Sequence, residues 1–352
     1  MENKYEYLYY NKIMGNTEQS CKHFFHSKWI SFLDSITLPY GNAIQLRIGN
    51  HLRPLLVYWG NALSAEKADI LDEDVTELAI CVEILHKISI IVDDLIDHDV
   101  KRHNSTTFHI QYTPEEAIIF SVYMLGKAFE KINALSQKYN SLNNPLNNIY
   151  AKTLQEMASG CLSELTLTTE QRCNYENIVS IICKETSTLI KNSLLLGFMM
   201  NIPNNQQTVQ MIELIGNKIG YLFQAMNDLE PFCSATNLTR HKGALNMDFE
   251  HSRKNIVLPY IYGACSAREK KQLLKSDEMD MNMVLSLYEK YKIEEHIKND
   301  LNNIENELEI HFNELGRMQI NVPCLKDFQK FYSDIINVAK ERLNAASEEP
   351  ID

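Results

Sequence analysis

Residues 75–103 read VTELAICVEILHKISIIVDDLIDHDVKRH. Leu78, Cys81, Val82, Leu85, Ile88 and Val92 recur at spacings of three and four, which marks a helix with one apolar face. Asp93, Asp94 and Asp97 follow directly, with Asp99, Lys101 and Arg102 just beyond. Positions i and i+4 share a helix face, so Asp93 and Asp97 point the same way with Asp94 beside them. Three carboxylates so placed repel one another unless cations sit among them. Hard ions such as Mg²⁺ take one or two carboxylates and complete their shell with substrate phosphate oxygens. The other reading is a solvated helix end, against which the flanking Ile90, Ile91 and Val92 weigh.

Working outward, helical patterns recur along the whole chain. Segments are expected near 20–38, 42–64 (with Pro54 at or inside a kink), 75–98, 113–139, 149–170, 174–201, 207–230, 251–263, 267–275, 280–315 and 325–346. Thr113-Pro114-Glu115-Glu116 reads as a helix start, with proline in the first turn and acids behind it. Only 12 Gly and 9 Pro are present among 352 residues, too few for a sheet-rich fold with its frequent turns. The expectation is an all-α protein. An N-terminal extension covers 1–15, one large helical domain covers 16–346, and an acidic tail covers 347–352.

The net charge of −12 argues against nucleic acid as a partner, because phosphate backbones need a basic surface. Eight scattered cysteines without a C-x-x-C pair read as reduced thiols in a cytoplasmic protein. No apolar run is long enough for a membrane span.

Several stretches, in order along the chain, resemble the trans-isoprenyl diphosphate synthase (polyprenyl synthetase) family. EILHKISIIVDDLIDHDVKRH (83–103) looks like its first aspartate-rich motif, and IGNHLRP (48–54) looks like its G-G-K-R-L-R-P. GCLSEL (160–165) resembles G-Q-x-x-D-L, and KETSTL (184–189) sits where K-T-x-x-L would be. GYLFQAMNDLEPF (220–232) is similar to G-x-x-F-Q-x-x-D-D-x-x-D-F, and DFEHSRKNIVLP (248–259) to the stretch ending G-K-x-T-L-P. The resemblance spans roughly residues 40–260. It implies a helical bundle around a deep apolar cavity, with two acidic helix ends at the mouth. It also implies a cluster of three Mg²⁺ ions that grips the diphosphate of an allylic prenyl substrate, and a homodimer.

By resemblance, Asp93, Asp94, Asp97, Asn227, Asp228 and Glu230 are the candidate metal ligands. Asp93, Asp97, Arg102, Asn227 and Asp228 are the candidate catalytic set. Arg53, His86, Arg102, Lys184, Lys242, Arg253 and Lys254 are candidates to bind diphosphate, and Ile88, Ser89, Phe223 and Gln224 to line the pocket. His98, Asp99 and Lys101 read as solvated. The residues one turn before the first motif, Ile88 and Ser89, are compatible with fifteen- or twenty-carbon substrates.

The chain also departs from the family pattern. In the basic site that would hold a second substrate, isopentenyl diphosphate, the lysine position is Asn50 and the second arginine after the first motif is His103. Diphosphates favour permanently charged, multidentate donors, so this site is weakened. In the second motif Asn227 replaces the first aspartate, which is similar to class I terpene cyclases. Its last aspartate position is Pro231, expected to end the helix. In KETSTL, Glu185 aligns with the family lysine, and Lys184 serves only after a one-residue slip.

These departures favour a terpene synthase on a prenyl synthase scaffold, which ionises an allylic diphosphate of farnesyl or geranylgeranyl type and then cyclises the cation or lets water capture it. The alternatives are a chain-elongating prenyl diphosphate synthase, for which Arg53 and His86 speak, and prenyl transfer to another acceptor such as a peptide or an aromatic. A fourth reading is a non-catalytic partner subunit, against which the intact Asp93, Asp94 and Asp97 weigh.

Overall fold

The computed structural model describes residues 16–36, 46, 49–65, 72–102, 105–139, 145–201, 205–233, 253–275, 280–318 and 320–345. Both the N-terminal extension (1–15) and the acidic tail (347–352) lie outside them. Helices dominate, in the order α1 (Asn16–Asp34), α2 (Leu52–Ser64), α3 (Glu73–Ile96), α4 (Phe108–Gln111), α5 (Pro114–Lys138), α6 (Leu146–Leu165), α7 (Thr169–Arg172), α8 (Tyr175–Ile182) and α9 (Thr188–Phe198). There follow α10 (Gln206–Cys233), α11 (Val257–Ala264), α12 (Ala267–Leu273), α13 (Met281–Lys290), α14 (Ile293–Leu315) and α15 (Val322–Ala345). A two-residue hairpin, β1 (Lys101–Arg102) with β2 (Ser105–Thr106), is the exception, and its antiparallel register pairs Lys101 with Thr106.

The helix starts follow from local chemistry. Asp72 caps α3 by accepting from the amides of Asp74 and Val75 at 2.7 and 3.1 Å. Thr113 caps α5 by accepting from Glu116 N–H at 3.1 Å, ahead of Pro114. Each such cap stabilises by about 1 kcal/mol. Lys292 adopts φ 50° and divides the expected helix 280–315 into α13 and α14. Pro231 does not end its helix, because α10 runs on to Cys233. A proline so near a helix end loses only one backbone bond.

Helix α9 sits at the centre, against α2, α10 and α6. Glycines let the backbones approach. A Cβ at Gly60 of α2 would collide with the Leu194 carbonyl oxygen, and one at Gly197 with that of Val57. Gly216 and Gly220 of α10 lie against the backbone of Lys191 and Ser187 in the same way. One apolar cluster joins α1, α2, α3, α5 and α6 through Trp29, Leu78, Ile84, Met124 and Tyr150. A second joins α9 and α10 to the C-terminal helices through Phe198, Leu222, Phe312 and Phe328. The cysteines at 21, 81, 161, 173, 183, 265 and 324 are free thiols, in keeping with the sequence reading. Among the described residues no helix is long and apolar enough to cross a membrane.

Candidate active site

Helix α3 ends in its aspartates, where the helix dipole already places negative charge, so cations are needed there. The hairpin after it returns Arg102. Its Nε donates to Asp94 Oδ1 at 2.5 Å and its Nη2 to Asp93 Oδ2 at 2.6 Å, with Asp99 3.8 Å away. Asp93 remains half exposed (49%), whereas Asp94 and Asp97 are buried. Burial pushes the Asp94 carboxyl up to about 6, against the pull of Arg102. Asp99 is 1% exposed, so it belongs to this network and is not the solvated acid expected from sequence. His98 is exposed at φ 56°, and Lys101 is exposed, as expected.

The segment Arg253–Ile256, just before α11, straps the acidic helices together. Arg253 pairs with Asp97, the cap residue just after α3, and lies 3.7 Å from Glu164 of α6. Lys254 pairs with Glu185 and lies 3.4 Å from Glu164, while its own amide donates to Glu164 Oε1 at 2.7 Å. Asn255 Nδ2 donates to the Asp228 carbonyl at 3.3 Å, and Ile256 N–H donates to Asp228 Oδ2 at 2.9 Å. Burial works against the charges of Arg253 and Lys254, but the facing carboxylates more than offset it and raise both above their ordinary values. Asp228 accepts from Gln224 Nε2 at 2.6 Å with its other oxygen, so both carboxylate oxygens already hold protein groups. Asn227 beside it is half-buried.

Residues Cys183–Ser187 form a π-helical turn between α8 and α9. A π-turn accommodates one extra residue in a helix. In this turn Glu185 pairs with Lys254, while Thr186 Oγ1 donates to Gln224 Oε1 at 2.8 Å. Lys184 is half-buried and makes no ion pair among the described residues. Glu164, which the sequence reading did not single out, and Glu185, which it only set against the family lysine, both join this charge cluster through Lys254. Their signal was present in GCLSEL and KETSTL, but their role depends on Lys254 folding back across the chain.

A second group of charges lies around the start of α2. His51 takes a left-handed φ of 55° and is buried. Its Nδ1 lies 3.1 Å from Oε1 of the fully buried Glu83, on which Lys87 Nζ also rests at 3.3 Å. Burial raises the Glu83 pKa, yet Lys87 and His51 outweigh it and hold the carboxyl below its usual range. Next along α2, the Arg53 guanidinium stacks over the Phe223 ring at 5.5 Å. Burial first, then Arg53, Lys87 and Arg102 hold His86 well below the ordinary imidazole value, so it is neutral. Ile88 is buried among apolar side chains, and Ser89 Oγ is spent on its own helix, donating to the His86 carbonyl at 2.8 Å. Lys242 lies outside the described residues, as does the side chain of Glu230.

The donors present are hard oxygens, with Asp93 open to solvent. Among the described residues no three acid, histidine or cysteine side chains converge as a ready metal cage. This arrangement suits a Mg²⁺ ion held by one or two carboxylates together with substrate oxygens.

A family model for polyprenyl synthetase matches residues 39–291. The chain is 27% identical over 232 residues to the short chain isoprenyl diphosphate synthase of Methanocaldococcus jannaschii, covering 64% of this chain and 66% of that one. It is 25% identical over 226 residues to the geranylgeranyl diphosphate synthase of Saccharolobus solfataricus, covering 63% of this chain and 64% of the relative. The match thus spans a little under two thirds of the length of these relatives. The fold superposes on the crystal structure of a decaprenyl diphosphate synthase from Rhodobacter capsulatus with a TM-score of 0.73 and 15% identity, covering 92% and 97% of the two chains. By its matched residues and its all-α architecture, the chain belongs to the polyprenyl synthetase family.

Proposed function

We propose that this protein lengthens an allylic prenyl diphosphate with isopentenyl diphosphate, the reading that the sequence alone placed second. One observation carries it. Arg53, Lys87 and Arg102 all lie close enough to His86 to depress its pKa, so a basic corner survives beside α3 although Asn50 and His103 have lost their charge. Lys87 Nζ comes within 3.3 Å of where a Cβ on Gly49 would stand, next to the vacated cation position at Asn50. Glu83 takes up part of the Lys87 charge, and Arg53, stacked over Phe223, is the candidate to meet a second diphosphate. The names of the relatives support the same reading.

In this reading Arg102, Arg253 and Lys254 exchange their carboxylate partners for the phosphate oxygens of the allylic substrate. Asp93, Asp97 and Asn227 are the groups to hold Mg²⁺, expected as three ions, and bound there the metal supplies Lewis-acid charge for the departing diphosphate. Asp228 anchors the strap. Ile88 and Ser89, medium and small, suit fifteen- or twenty-carbon substrates. The working form is a cytoplasmic homodimer, to which α5 contributes Ile118, Ile119 and Val122, exposed by 52%, 69% and 61%. A contiguous apolar stripe of this kind marks an interface.

The test incubates purified protein and Mg²⁺ with geranyl, farnesyl or geranylgeranyl diphosphate and labelled isopentenyl diphosphate. Label in a longer diphosphate is the expected result, and none at saturating substrate refutes it. Asn50 and Asn227 favour ionisation without elongation as the second reading; a hydrocarbon or terpene alcohol released without isopentenyl diphosphate would establish that one.

A further inference from the structure

Lys87 is a buried cation one turn after Glu83 on α3, with its side chain only 7% exposed. A buried ammonium is costly unless it is paired, and Glu83 Oε1 at 3.3 Å supplies the pair. One carboxylate does not exhaust it, because an ammonium carries three N–H donors. Among the described residues Lys87 makes no second ion pair or side-chain hydrogen bond. Part of its donor capacity is therefore unspent.

The ammonium lies against a bend of the chain that is partly open to solvent. A Cβ on Gly49 would stand 3.3 Å from Lys87 Nζ, and among the described residues it would meet nothing else within 4 Å. Gly49 and Asn50 are only half-buried. Glycine thus leaves an opening over the ammonium, and an oxygen atom placed there stands close to hydrogen-bonding distance from it. Helix α2 begins at the same bend, with no side-chain cap and no acid in its first turn, where Arg53 lies. The positive end of its dipole is therefore uncompensated, which suits an anion. Glu83 is itself held in place. With its carboxyl ionised, His51 Nδ1–H donates to it at 3.1 Å, which leaves His51 Nε2 to accept from His26 Nδ1–H, 3.3 Å away.

We propose that Lys87 is a binding residue for the second diphosphate: its ammonium, reaching past Gly49, supplies from α3 the charge that Asn50 cannot. This rests on the elongation reading above. Arg53 and the first turn of α2 bind the same diphosphate from the other side of the bend. Lys87 keeps Glu83 while it does so, with the carboxylate on one donor and a phosphate oxygen on another. Glu83 and His51 are positioning residues, since they touch no substrate and fix where the ammonium stands. The charge has moved along the chain, from the loop to the helix, and has stayed at the same corner of the fold.

The experiment measures KM separately for isopentenyl diphosphate and for the allylic diphosphate at saturating Mg²⁺, and titrates isopentenyl diphosphate alone by calorimetry. Lys87→Gln should weaken isopentenyl diphosphate about 10- to 100-fold, the scale for a lost hydrogen bond between charged groups. The KM of the allylic substrate should stay within about twofold, the split that marks lost binding of one substrate. Lys87→Gln leaves Glu83 buried without its cation, so a second variant joins it to Glu83→Gln, which removes both charges and spares the fold. It should show the same selective loss. Adding Asn50→Lys to either variant should bring the affinity back to within about threefold of wild type, a coupling that a merely structural lysine would not show. An unchanged affinity for isopentenyl diphosphate, a loss shared equally by the allylic substrate, or no recovery with Asn50→Lys overturns the inference. Wild type that binds isopentenyl diphosphate through Lys87 yet incorporates none refutes the elongation reading and leaves this site standing. Wild type that binds none refutes the site.

Discussion

At the scale of single residues, the aspartates divide by what they hold. Asp93 is half exposed and pairs with Arg102, whereas Asp228 ties the strap to α10 through Ile256 N–H and Gln224. Asp93→Asn should therefore lower kcat/KM by about 100-fold or more, the scale for losing one electrostatic contact in a transition state. Its melting temperature should stay within about 2 °C of wild type by calorimetry, as for most surface changes. Asp228→Ala should instead destabilise by about 3 kcal/mol in denaturant titration, since two hydrogen bonds to a buried charge disappear. The cluster of Asp93, Asp94 and Arg102 was legible from spacing because these neighbours in sequence are neighbours in space, whereas Asp97 meets Arg253 from far along the chain. Glu164 and Glu185 were not, because their partner Lys254 is 90 and 69 positions away.

At the scale of elements, close backbone approach and buried charge fix how the helices meet. Gly60→Ala places a methyl against the Leu194 carbonyl of α9, and the collision is with backbone, which has no rotamer to yield. Overpacking of this kind costs about 1–3 kcal/mol or more, which a lowered denaturation midpoint would report. Glu83 holds α3 to the start of α2 through Lys87 and His51. Because its folded pKa is depressed, its contribution is fully present above the ordinary carboxylate range near pH 4.5 and is lost as pH falls below it. Glu83→Gln should cost about 3–5 kcal/mol at pH 7, leaving Lys87 buried without its partner. It should also flatten the acid side of the stability–pH curve, measured by urea unfolding between pH 3 and 7. Helix positions were readable from the three-and-four spacing, but the π-turn was not. A π-turn shifts the helical register without changing composition, so it shows only in the folded backbone.

At the scale of the whole molecule, the apolar stripe of α5 is the feature that a second copy would cover. Val122→Glu should shift the protein from dimer to monomer in light scattering at micromolar concentration, because an uncompensated charge cannot be buried in an apolar interface. If the mass is unchanged, that face is not the interface. The sequence by itself determined that the chain is all-α, that α3 ends in a cluster of acids, and that the chain resembles one family. Those are local matters of period, capping and motif order. Only the tertiary structure decided which charges meet: Arg253 with Asp97, Lys254 with Glu185, Lys87 beside Gly49. Read linearly, Asn50 and His103 looked like a lost substrate site. Folded, Lys87 comes up from α3 beside Asn50, because electrostatics depends on distance in space and is indifferent to distance along the chain.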